Sequence, residues 1–129
     1  MIDTNQIKSV IYNLLSTCGD VYEEDAPEDQ DVSFQYITFS VLGQAEVFGR
    51  DIMTLRIDVY DTDSDTTAIN DIVDEIDSIL NRQKHYQAGL SVCFYRTDIS
   101  DVTPGQPQLR QRALIYEVRI YFGEFISES

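Results

Sequence analysis

With 129 residues, 43% of them apolar, the chain is long enough to bury one core, and its eight tyrosines and six phenylalanines exclude disorder by composition. A net charge of −14 excludes nucleic-acid binding by phosphate neutralisation, which needs clustered Lys and Arg. No apolar run approaches the ~20 residues that span a bilayer, and MIDTNQIKSV has no signal-peptide pattern, so synthesis in the cytoplasm and no membrane partner are expected.

Residues 3–17 predict a first helix. Ile7, Val10, Ile11, Leu14 and Leu15 recur at helical spacing, Asp3 or Thr4 can cap the start, and Gly19 can stop it. The following GDVYEEDAPEDQD, residues 19–31, holds seven acids and reads as a solvated loop. Residues 32–42 predict a strand, with Phe34, Tyr36, Thr38 and Ser40 on one face and Ile37, Phe39 and Val41 on the other. Residues 43–51 carry two glycines and read as a connection, parts of which could extend either arm of a hairpin. Residues 52–60 alternate cleanly. Met53, Leu55, Ile57 and Val59 belong to a core face, and Thr54, Arg56, Asp58 and Tyr60 to a wet one.

Residues 64–82 predict a second helix with a stripe of Ile69, Ile72, Val73, Ile76, Ile79 and Leu80. A third strand is expected at 89–96 and a fourth at 112–122, separated by a long loop over 97–111. The order is roughly αββ twice, without an evident sequence repeat. Together these elements predict a single α+β domain, a four-stranded antiparallel sheet with both helices packed on one face.

Charge is unevenly placed. Residues 1–81 hold three bases against 18 acids, a net −15, whereas residues 82–129 hold six against five, a net +1. Arg96, Arg110 and Arg112 flank the 97–111 loop, and opposite charge bias in one chain suits pairing between copies. The open sheet face keeps Arg56, Asp58, Tyr60, Glu117, Arg119 and Tyr121, a mixture of charge and tyrosine that suits a wet protein contact. These nine are the candidate interaction residues.

Chemistry is sparse. The alternating acids Asp61, Asp63 and Asp65 open like a calcium loop, but counting from Asp61 puts Thr66 at the glycine position and Ile72 at the bidentate acid, so a turn and helix cap is expected. His85 stands alone at a helix exit, and Cys18 and Cys93 are expected as reduced, structural thiols. No catalytic residue, cofactor or metal site is expected.

The sequence order FQYITFSVLGQ, then LRIDVYD, then an amphipathic helix, then a strand pair resembles the tail-completion proteins of long-tailed bacteriophages, also called tail terminators. Phe34–Leu42, Ile57–Asp61 and Tyr116–Phe122 carry the likeness, which runs over residues 5–122. The resemblance implies a non-enzymatic virion protein that forms a ring, commonly a hexamer, at the head-proximal end of the tail. Its partners would be its own copies, the tail-tube protein and the head connector, with DNA passing through unbound. Two other classes stay open: a metal-dependent enzyme using Asp58, Asp61, Asp63 and Asp65, and an acidic regulatory domain filling a basic groove.

Overall fold

The computed structural model describes residues 4–23, 36–47, 50–61, 67–87, 90–102 and 110–122. The chain runs α1 (Thr4–Leu15), β1 (Asp20–Glu23), β2 (Tyr36–Val47), β3 (Arg50–Asp61), α2 (Thr67–Leu80), β4 (Lys84–Gln87), β5 (Leu90–Val102) and β6 (Arg110–Phe122). All six strands form one sheet in the order β1-β2-β3-β6-β5-β4. β1 runs parallel to β2, and every other neighbour pair is antiparallel.

The expected four-stranded antiparallel α+β sheet is therefore corrected. The architecture is a mostly β, mixed six-stranded sheet, curled as a half-barrel, with two helices. The added strands β1 and β4 fall in the segments read as an acidic loop and a helix exit. Four residues are too few to display a period, and neutral backbone can pair whatever the charge on the side chains. The Gly-rich connection is also shorter than expected, because 43–47 belong to β2 and 50–51 to β3. The 97–111 loop loses residues at both ends: 97–102 extend β5 and 110–111 begin β6, while 103–109 lie outside the described residues. So do 24–31 of the acidic loop and 62–66, with Asp63 and Asp65.

The two helices bury their stripes in one cluster with the sheet. In α2, Ile69, Val73, Ile76 and Leu80 are buried, and in α1, Ile7, Val10, Ile11 and Leu15. They meet Ile37, Phe39, Leu55, Ile57, Phe94, Leu114 and Tyr116. Burying each large side chain contributes about 1.5–3 kcal/mol. α1 lies against β1, whereas α2 spans β3, β5 and β6. A polar tie at Asp77 helps fix α2 on the sheet: the Tyr116 hydroxyl donates to Asp77 Oδ1 at 2.8 Å, and Arg96 Nη1 donates to Asp77 Oδ2 at 2.8 Å. Burial and the Asp77 carboxylate hold the Tyr116 phenol well above its ordinary range, so it stays a donor.

The helices end differently. After α1, the Ser16 and Thr17 hydroxyls donate to the carbonyls of Asn13 and Leu14, and Gly19 turns the chain at φ 155°. After α2, Arg82 takes the left-handed conformation, φ 61°, while its N–H donates to the Phe94 carbonyl at 2.7 Å.

Candidate assembly interface

Alternation sends every second residue of the sheet away from the helices, and the strand register gathers these residues into rows. Tyr36 pairs with Tyr60 across β2 and β3, their rings stacked with centroids 4.7 Å apart. Tyr22 of β1 meets Tyr36 edge-on at 6.0 Å. A three-tyrosine row thus crosses β1, β2 and β3. It ends on Gln111 of β6, whose amide lies 3.3 Å from the Tyr60 hydroxyl and donates to Asp58 Oδ1 at 3.0 Å. Asp58 also accepts two bonds from Arg56, at 3.0 and 3.2 Å, which raise the Arg56 guanidinium pKa above its ordinary value. Further along, Arg119 pairs with Glu117 and sits 4.5 Å above the Tyr95 ring. Among the described residues no helix covers this face.

Six of the nine predicted residues lie here: Arg56, Asp58, Tyr60, Glu117, Arg119 and Tyr121. The other three do not. Arg96, Arg110 and Arg112 fall on the helix side, in register with Tyr116, Asp61 and Val59. Arg96 is held by Asp77. Arg112 reaches Asn70 of α2, and its Nε lies 2.8 Å from Asp101 Oδ1 with the N–H aimed off the carboxylate, an ion pair without a hydrogen bond. The expected role of Arg112 toward a neighbouring copy is therefore set against contacts within its own chain.

The nine candidates omit Tyr22, Tyr36, Tyr95 and Gln111, which also belong to this surface. Tyr22 was hidden in an acidic segment, and Tyr95 and Gln111 take their place only through register. His85, expected at an exposed helix exit, lies half-buried in β4, its Nε2 3.0 Å from the Ile79 carbonyl oxygen and its ring edge-on to Phe94. Cys18 and Cys93 are free thiols. A shallow groove of about 370 Å³ runs beside α1, spanned by the Lys8–Glu23 ion pair at 3.1 Å. Among the described residues no three His, Cys, Asp or Glu side chains gather as a metal site.

No protein-family model matches the chain, and no curated protein matches it. Solved structures do match. One, of a protein that carries no descriptive name, superposes with a TM-score of 0.68 at 14% identity, covering 95% of this chain and 98% of that one. Another is a chain in the virion of a native gene transfer agent particle, with a TM-score of 0.62 at 13% identity, covering 87% of this chain and 84% of that one. At such identities the likeness shows the shared fold.

Proposed function

We propose that this chain is a virion structural protein of a phage-like particle, and within that class a tail-completion protein. The observation that carries the reading is the match, over 87% of this chain, to a component of a gene transfer agent virion. The sequence order over residues 5–122 supports the finer assignment independently of the superposition. On this reading copies pair head to tail into a closed ring, a hexamer in the form the family resemblance implies, at the head-proximal end of the tail. The ring ends growth of the tail tube and offers a surface to the head connector. The polar, tyrosine-rich sheet face supports a contact role, because tyrosine adds contact area at low entropic cost while charge sets register. The net charge of −14 supports a passage through which DNA slides without being held. No side chain is assigned a chemical step.

Electron microscopy of particles carrying a tagged copy tests this. The tag is expected at the junction of head and tail. A tag found nowhere in the neck or tail would sink the assignment.

A further inference from the structure

The sheet ends in two short strands, β1 and β4, and among the described residues neither has a neighbour on its outer side. Their directions are fixed by the pairings between them. β1 is parallel to β2, and β2 to β4 there are four antiparallel steps, so β1 and β4 point the same way. A copy generated by rotation about an axis that runs along the strands keeps their directions. With that axis, its β1 meets the first copy's β4 as a parallel pair.

Parallel alignment of Asp20-Val21-Tyr22-Glu23 on Lys84-His85-Tyr86-Gln87 then sets Asp20 beside Lys84 and Tyr22 beside Tyr86. Both pairs lie on the face away from the helices: Tyr22 through its contact with Tyr36, and Tyr86 through its register with Ser91 and Tyr121. Two otherwise unexplained features fit this. Tyr86 is 64% exposed, the highest among the large apolar side chains described. The row Tyr22–Tyr36–Tyr60 stops at the open edge of β1. The charges also differ in sign: Asp20 is exposed at one edge, where Glu23 is already paired with Lys8, and Arg82 and Lys84 are exposed at the other.

We propose that copies of this chain join edge to edge, β4 of one protomer beside β1 of the next, continuing the sheet and its tyrosine row through the interface. The occupant of each edge is a second copy. The inference deepens the ring reading by naming the surface that would close it, yet it can fail alone.

The test uses the full chain, with its mass measured by light scattering up to millimolar concentration. Multimers beyond the dimer are expected. Lys84→Glu should raise their dissociation constant by about tenfold or more, and adding Asp20→Lys should restore most of that loss, since opposed charges mainly set register and encounter. Adjacent strands lie ~4.8 Å apart, within reach of a disulfide. The double variant Asp20→Cys, Lys84→Cys should therefore form a disulfide-linked ladder that neither single variant forms. Multimers indifferent to Lys84→Glu and giving no 20–84 ladder would overturn the edge proposal and leave the ring intact. Monomers at every concentration, again without the ladder, would also overturn it; imaging of the tagged particle would still decide the virion assignment.

Discussion

Residues 4–61 and 67–122 are two versions of one plan. Each is a helix, a four-residue strand and a long hairpin: α1β1β2β3 with strands of 4, 12 and 12 residues, then α2β4β5β6 with strands of 4, 13 and 13. The halves meet at β3 and β6, and the strand order β1-β2-β3-β6-β5-β4 approximates a two-fold. Even the irregularities correspond, because the register shift falls at the eighth residue of β2, Gly43, and at the eighth of β5, Thr97. At Gly43 a positive φ of 68° makes the bulge, while at Thr97 the hydroxyl donates to the Ile115 carbonyl at 3.1 Å. The symmetry breaks at the edges. β1 is parallel to its hairpin and β4 antiparallel, and the charge differs, −15 over residues 1–81 against +1 over 82–129. A true two-fold would have given two like edges, suited to closed dimers. Breaking it gives unlike edges, suited to repetition.

The largest test of the comparison is packing. α2 spans strands of both halves, whereas α1 lies against β1, so charge under α2 should disrupt the seam between halves. Ile76→Asp places an uncompensated carboxylate at a fully buried site and should cost more than about 4 kcal/mol. Urea unfolding checks it, and an unchanged midpoint would refute the helix-face assignment.

A smaller effect is expected at the polar tie under α2. Tyr116→Phe removes the donor to Asp77 and should cost about 1–3 kcal/mol. It should also change the pH profile. Because the folded chain holds the Tyr116 proton more tightly than the ordinary 10.0, the unfolded chain releases it first, and stability falls as pH rises above about 10. The variant should lose less there. Cys18 acts in the same sense, since burial pushes its thiol up to about 11, so stability is lost between about 9 and 11. Thermal melts from pH 8 to 11 would show it, and superimposable alkaline limbs for parent and Tyr116→Phe would contradict it.

The smallest effect concerns the two helix exits. Gly19 ends α1 without steric cost, but Arg82 holds a positive φ that glycine would adopt freely. Arg82→Gly should stabilise the monomer by up to about 1 kcal/mol. Any destabilisation measured by urea titration would mean that the Arg82 side chain makes up the strain within its own fold. Conversely, Gly19→Ala should destabilise by about 1 kcal/mol from φ alone, since the added methyl would meet Ile37 Cδ1 at a comfortable 3.8 Å.

Much of each half was legible in the sequence. The helix stripes hold a 3.6 period long enough to read, and β3 and β6 alternate without interruption. What stayed hidden has two physical causes. β1 and β4 are too short to alternate. The second part of β5, Thr97-Asp-Ile-Ser-Asp-Val102, is polar and begins at a bulge, so its period is broken just where solvent takes over from the helix layer. The outward residues of β3 and β6 followed from alternation alone. The tyrosine row did not, because Tyr22, Tyr36 and Tyr60 come together only through one parallel and one antiparallel register. For the arginines, nearness to a loop in sequence said nothing of which face Arg96 and Arg112 take.

The seam between halves has a consequence for how the chain is made. Each hairpin pairs neighbours in sequence, but β3 and β6 join residues roughly 60 positions apart, a closure that comes late and slowly. During synthesis the first half emerges with β3 unpaired along its inner edge and must wait for β6. In that interval β6 of another nascent chain is as good a partner as its own. Crowded expression should therefore yield some dimers with exchanged halves, which only unfolding and dilution would undo.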